Sequence, residues 1–404
     1  MKKLLNIDYS LVQGTYWMYF GVVGSFASVF LLDRGYSNSD IGLILALGSV
    51  LAVILQPFMA DIADRSKKLS LIGIIELMVL ALVVSTLGLF IFETKSMALS
   101  AVFIFLYGWQ TAIQPLVNSL SFKLEESGVH INFGVARSIG SLAYAGLCAI
   151  LGSMVTKFGI TAIPVTGEIV LILMAVALVM TKINFGKGKA KATSSGEDGT
   201  LSGELTGEQK GITLLEFIKR NKAFLIVNLG VIGLFFSNSV LNNFMIQIVT
   251  NVGGDSGDMG RMFSLMAALE IPTMVFFDKI RRRFTSQFLI KFAALAFAVK
   301  IGLCFVATNV TMLYLAQLIQ LASFALFLPA MVHFIDEIMS RGEAVKGQAL
   351  YTIMTTVGSI FASLVGGVIL DLSGAKMLLL VSTIVTLGGA LIIVFALNKV
   401  KSKV

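Results

Sequence analysis

The sequence predicts an all-α membrane protein of twelve transmembrane helices arranged as two six-helix bundles. Three observations carry this. Hydrophobic residues fill 56% of the 404 positions and charged residues only 13%, and the mean hydropathy is +0.89, a balance no soluble domain of this size needs for its core. The apolar residues fall into runs of about 20, the length that crosses a bilayer core as a helix. A polar stretch near the middle of the chain, "NFGKGKAKATSSGEDGTLSGELTGEQKG", divides those runs six and six.

The runs, here segments 1 to 12, cover residues 9–32, 40–60, 69–92, 97–120, 137–157, 161–181, 222–249, 258–277, 286–306, 311–335, 347–370 and 375–398. They give a first bundle over 1–183, a Gly/Ser-rich linker over 184–221 and a second bundle over 222–404. The start, "MKKLLNIDYSLVQG", has basic residues but no apolar core ending at a cleavage site, so it reads as a retained cytoplasmic N-terminus and not a signal peptide. With both termini inside, 25 of the 31 Lys and Arg fall on the cytoplasmic side, five outside (Arg34, Lys95, Lys157, Arg261, Lys376) and Lys300 within the membrane, the asymmetry of the positive-inside rule. The net charge of +8 is therefore topological and not a nucleic-acid footprint. Cys148 and Cys304 lie inside apolar runs and read as small buried side chains without a disulfide.

Segment 2 is followed by "DIADRSKK" and segment 8 by "FDKIRRRF". Each is an acid followed by a basic cluster, so Asp64 and Arg65, and Asp278 and Arg281, are candidates for a cytoplasmic gate latched by ion pairs; the alternative is plain positive-inside anchoring. Their matching places in the two halves point to an internal repeat. With "SNSDIGLILALGSVLAVILQPFMADIADRSKK" the chain resembles the major facilitator superfamily, and within it the oligosaccharide:proton symporters, the lactose permease group. The resemblance spans essentially the whole chain. It rests on S-x-S-D-x-G, on Gln56-Pro57 and on the Asp64-Arg65 pair, while Ala60 and the absence of a glycine after Arg65 depart from the loop motif.

In segment 4, "WQTAIQPLVNSLSF" places Asn118 near the group's essential glutamate, with Gln110 and Gln114 one turn apart. An amide accepts a hydrogen bond from a guanidinium but does not offset its charge, which puts galactoside specificity in doubt. Segment 5 opens with "FGVAR", and Arg137 matches the arginine that in the lactose permease group binds sugar hydroxyls. Tyr144, two turns on, matches the tryptophan that stacks on the sugar ring, so a bidentate donor and an aromatic platform share one helix face. The other reading of Arg137 is a side chain snorkelling to the cytoplasmic interface.

The second half holds the more expensive residues, since an ionisable group at the bilayer centre usually faces a cavity and a partner. Segment 7 carries no acid where the permease group has two, and instead offers Asn238, Asn242 and Asn243. These and the segment 4 amides are substrate-binding candidates or interhelical hydrogen bonds. Segment 8 carries Glu270 with Pro272 two positions on, and segment 9 carries Lys300. Lys300 lines up with an arginine that takes part in proton coupling in the lactose permease group; Glu270 falls near that group's coupling glutamate, and its Glu-x-Pro setting is similar to the phenylpropionate and nucleoside permease branches. Glu270 taking up the proton, with Lys300 controlling its affinity, is the expected arrangement; a static charge pair between helices is its rival. The group's helix 10 histidine and glutamate fall near Phe324 and Phe327, while His333 and Asp336 sit nearer the cytoplasmic end. Glu76 and Glu168 each lie about seven residues from a helix end, where snorkelling or a structural pair stands beside a functional role, and the small residues of segment 11 permit close helix packing.

No phosphate-binding loop is present, and two histidines with two buried cysteines make no metal site. The expectation is a transporter and not an enzyme, without cofactor, driven by a gradient. The resemblance implies import of a small polar solute with protons by alternating access, a sugar or small oligosaccharide first and a nucleoside or aromatic carboxylate as the alternative. Proton-antiport efflux is the rival mechanism, weakened because no proline lies between Arg137 and Lys157. The expected setting is the plasma (inner) membrane, as a multi-pass monomer whose partners are the solute, protons and the lipid bilayer.

Overall fold

The computed structural model describes residues 2–66, 69–194 and 220–398. Among them every regular element is a helix, and each of the twelve apolar segments falls on helix. Segment 1 is α1 (Lys2–Phe20) and α2 (Ala27–Asp33), joined by a π-turn at Gly21–Ser25 and bent by 42°. The rest of the first half is α3 (Asn38–Arg65), α4 (Leu71–Ile91), α5 (Met97–Glu125), α6 (Phe133–Phe158) and α7 (Ala162–Ser194). The second half is α8 (Lys222–Asn243) and α9 (Met245–Thr250), α10 (Ser256–Arg281), α11 (Ser286–Val306), α12 (Val310–Gln317) and α13 (Phe324–Ile338), and α14 (Arg341–Leu397). Among the described residues nine helices are long and apolar enough to cross a membrane, ten when the bent first pair counts as one span.

Side-chain caps set the helix starts. Ser70, Ser96, Asn132, Thr285 and Asn309 each accept from the backbone N–H three residues on, and Asp255 with Asp258 forms a reciprocal capping box at α10. Segments 11 and 12 are two helices, both counted within α14, that meet at Gly374, where φ +77° and ψ 179° break the helical backbone and turn the chain from one to the other.

The predicted linker begins later than its composition implies. The backbone of α7 continues as helix to Ser194, through "NFGKGKAKATS", where Ala and Lys are good helix formers and cations suit a helix C-terminus. Residues 195–219 lie outside the described residues.

The chain packs as two compact units, Met1–Tyr36 with Ile44–Glu204, and Ser37–Leu43 with Leu205–Val404. In the first, α1 packs on α6 and α7, and α4 on α5 and α7. Lys182 on α7 pairs with Glu76 on α4 at 2.6 Å, which gives this half-buried acid its partner. In the second unit α8 lies along the end of α14, and α11 packs on α13 and α14 around Phe224, Val231, Phe297, Phe327, Met331 and Phe334. Small residues set the closest approach. A Cβ on Gly230 would sit 2.6 Å from the Gly389 carbonyl, and one on Gly389 would sit 2.6 Å from the Gly230 carbonyl. The first turn of α3 also belongs to this unit, where Asp371 accepts from the Asn38 N–H (3.0 Å), the Asn38 amide (2.9 Å) and the Ser39 N–H (2.7 Å). Cys148 and Cys304 are buried free thiols.

Candidate functional site

Two polar clusters stand out, one in each unit. In the second, Lys300 is 1% exposed about two-thirds of the way along α11, a position where a bare ammonium is costly without an acceptor. Its Nζ donates to Gln320 Oε1 at 2.6 Å, and Gln320 Nε2 donates to Glu270 Oε1 at 2.9 Å. The two residues expected to work together are thus joined, but through the amide of Gln320 and not as a direct ion pair.

The backbone explains how Gln320 reaches both. The helix of segment 10 changes character at its centre: α12 ends at Gln317, a 3₁₀ turn covers Leu318–Leu321, and α13 starts at Phe324. On a 3₁₀ turn residues three apart eclipse one another, so Gln317 and Gln320 turn to the same side. They meet two α11 residues one helical turn apart: Gln320 meets Lys300, and Gln317 Nε2 reaches Cys304 Sγ at 3.5 Å. Thr273 on α10 donates to the Leu321 carbonyl at 3.1 Å, satisfying a group that the irregular turn would leave unpaired in an apolar setting. Glu270 is half-buried, one turn before Thr273 and beside Pro272.

In the first unit, Arg137 on α6 lies with its guanidinium 4.0 Å from the centre of the Trp17 ring on α1, and Nη1 donates to Ser141 Oγ at 2.8 Å. Trp17 packs edge-on against Phe20 (5.5 Å), and Phe20 lies 6.5 Å from Tyr144. Tyr144 and Ser25 share a hydroxyl hydrogen bond of 2.7 Å. Trp17, Phe20, Arg137 and Tyr144 are all half-buried and make a continuous aromatic strip with a cation at one end. Beside it, Trp17 Nε1 and the side-chain oxygens of Gln13 and Gln110 are buried with no hydrogen-bond partner among the described residues.

Three of the six amides singled out from the sequence are engaged by the protein itself. Gln110 donates to the Tyr16 carbonyl (3.0 Å), Asn118 Oδ1 accepts from Gln13 (3.1 Å), and Asn243 donates to Ser363 (2.8 Å). Asn238 is 8% exposed, and Asn242 and Gln114 are half-buried. Of the loop residues, Arg65 pairs with Asp61 one turn earlier on α3 at 2.6 Å. The side chain of Asp64 lies outside the described residues. Asp278 and Arg281 are exposed on the last turns of α10, and Arg281 lines an open cavity with Arg282, Thr285 and Glu337. His333 stacks on Phe277 with ring centres 5.4 Å apart, and Asp336 is exposed. Glu168 keeps one carboxyl oxygen buried without a partner among the described residues.

Sequence reasoning missed Gln320 and Trp17. Two glutamines three apart in "LAQLIQLASF" were a signal of the same kind as Gln110 and Gln114, and Trp17 lies four residues after Gln13 on one face of α1.

A family model described as the MFS_1 like family matches residues 9–381. The chain is similar to the uncharacterized transporter YwbF of Bacillus subtilis (strain 168), 23% identical over 417 residues that cover 98% of this chain and 95% of that one. It is also similar to a probable 3-phenylpropionic acid transporter of Escherichia coli (strain K12), 22% identical over 86% of each chain. Among solved structures, a crystal structure of a point mutant of the nucleoside transporter NupG superposes with a TM-score of 0.80, over 97% of this chain and 99% of that one, at 14% identity.

Proposed function

Because the chain belongs to the MFS_1 like family and has the all-helical fold of the major facilitator transporters, we propose that it imports a small, ring-bearing polar solute together with protons. That it is a membrane transporter and not an enzyme follows from the family. The coupling, the direction and the solute are our reading, as are alternating access, the plasma membrane and the cytoplasmic termini.

The observation that carries proton coupling is the chain Lys300, Gln320, Glu270. Burial of a carboxyl group disfavours its anion, and a cation held nearby favours the anion again. A shift of helices that changed the reach of that cation would change the affinity of Glu270 for a proton, which is what a coupled carrier requires.

For the solute, the sugar reading draws on Arg137 and Tyr144. A second reading, a nucleoside or aromatic carboxylate, draws on the packing around them. A polyhydroxylated sugar needs many hydrogen-bonding side chains, whereas Gln110, Asn118 and Asn243 are engaged within the protein. The half-buried strip of Trp17, Phe20 and Tyr144 with the Arg137 guanidinium offers ring faces and one cation, which suits a planar ring carrying an acceptor or an anionic group. The similar proteins named for a nucleoside and for 3-phenylpropionic acid support the same class.

The test is proton entry into proteoliposomes, followed by an internal pH dye, as sugars, nucleosides and aromatic acids are added outside in turn. One class is expected to acidify the interior, and Glu270→Gln to abolish the signal. A Glu270→Gln protein that still acidified the interior would end the carrier role. Solutes driven inward only by a preset acidic interior would identify an antiporter.

A further inference from the structure

We infer that Gln320 is the positioning residue of the coupling site: its amide carries the influence of Lys300 to Glu270 and holds the two charges one amide apart. The inference rests on the reading of Glu270 as the proton carrier and adds what makes that carboxyl titratable.

The orientation of the amide follows from chemistry. An ammonium has donors and no acceptor, so the Gln320 oxygen faces Lys300 and the NH₂ faces Glu270. The amide dipole is thereby fixed head to tail along the chain, with its positive end on the carboxylate. Gln320 is 2% exposed and Lys300 is 1% exposed, so neither exchanges this partner for bulk water in this structure. A cation in direct contact with a carboxylate favours the anion most, and a cation held further off favours it less. An intervening neutral amide sets an intermediate case, and its position on a 3₁₀ turn between α12 and α13 places it on the irregular stretch of the helix, where a change of pitch moves it first.

Among the described residues, further titratable groups lie on the helices packed around this chain. Cys304 faces Lys300 from one turn along α11 and is engaged by Gln317. Asp258, Arg261 and Tyr314 form their own cluster, with Arg261 about two and a half turns and Asp258 more than three turns along α10 from Glu270. His333 is stacked on Phe277 on the later part of α13, where Asp336 and Glu337 follow it.

The test needs no substrate. Dicyclohexylcarbodiimide attacks protonated buried carboxyl groups, so labelling of the Glu270 peptide, read by mass spectrometry on the purified full-length protein between pH 5 and 9, gives the titration midpoint of that carboxyl. Lys300→Met is expected to raise the midpoint by about one pH unit or more. In a Gln320→Leu background the same Lys300→Met change is expected to move it by less than about a third of that. Equal increments in both backgrounds would overturn the inference, because a residue that only fills space does not gate an electrostatic effect. Gln320→Glu keeps the shape and serves if the leucine variant fails to fold. Its added carboxylate is expected to raise the Glu270 midpoint by about one unit, and an unchanged midpoint counts against Gln320. The two readings fail separately. Proton-driven uptake by Glu270→Gln ends the carrier role and leaves the labelling result standing, whereas equal increments end the role of Gln320 and leave the carrier.

Discussion

Gly388 and Gly389 are adjacent on α14, yet the same substitution at each is expected to act with opposite sign. A Cβ added at Gly388 meets nothing within 4 Å, whereas one added at Gly389 falls 2.6 Å from the Gly230 carbonyl oxygen and 3.2 Å from the Gly233 Cα on α8. Ordinary contact between a methyl carbon and a carbonyl oxygen is 3.4 Å or more, so Gly389→Ala pushes two helix backbones apart by several tenths of an ångström. Neither is a flexible side chain that can swing away. Overpacking of this kind costs about 1–3 kcal/mol, against which the better helix propensity of Ala returns up to about 1 kcal/mol. The net expectation is a loss of about 1–2 kcal/mol for Gly389→Ala and a gain of about 0.5–1 kcal/mol for Gly388→Ala. Gly230→Ala faces the Gly389 carbonyl in the same way. Once one alanine has parted the helices the second adds less, so the double variant is expected to be less destabilised than the two single losses together. Reversible unfolding in mixed micelles measures the four variants against the parent protein. Equal effects at 388 and 389, or strict additivity of 230 with 389, would refute the packing argument.

Trp17→Ala removes the ring under Arg137 and is expected to raise the Michaelis constant for the solute identified by the panel roughly tenfold, the size of a well-formed cation–π contact. Trp17→Phe keeps a ring and should recover most of it, and uptake kinetics that are the same for all three proteins would remove Trp17 from the site. Lys182→Met leaves Glu76, whose side chain is 23% exposed, without its partner at 2.6 Å and is expected to cost about 1 kcal/mol, with half-exposure of the lysine limiting the effect. Glu76→Gln added to it should restore most of the loss, and a further loss in the double variant would show that the pair is not what holds Glu76.

The fold was legible because hydropathy in runs of bilayer length is a collective signal, which one misplaced boundary does not erase. Segment 7 was located from composition although the helix breaks at Phe244, and segment 10 although it breaks at Leu318–Leu321. The site was legible only as far as charge made it so. Glu270 and Lys300 announce themselves in an apolar run. Gln320 does not, because an amide is cheap enough in a membrane helix to pass as an ordinary interhelical hydrogen bond. The resemblance to the lactose permease group puts that group's helix 10 histidine and glutamate near Phe324 and Phe327, one to two turns past Gln320, and so gives no pointer to the glutamine. Assigning faces by counting along a helix assumes a constant pitch, and the 3₁₀ turn at Leu318–Leu321 changes the pitch at that point.

The same limit separates Arg137 from Trp17. Arg137 drew notice as a charge and Tyr144 as its neighbour two turns on, both on one helix, whereas Trp17 belongs to another helix and meets Arg137 only through the packing of α1 on α6. Spacing along one chain segment predicts which residues share a face. It does not predict which face of another helix is laid against it, and for that reason both residues missed from the sequence, Gln320 and Trp17, are the ones that complete a contact between helices. If that is the general rule for this molecule, the next functional side chains to be found lie opposite the charges already named. Glu168, with one carboxyl oxygen buried and no partner among the described residues, faces the Tyr19 and Thr86 pair of α1 and α4 and is the place to look first.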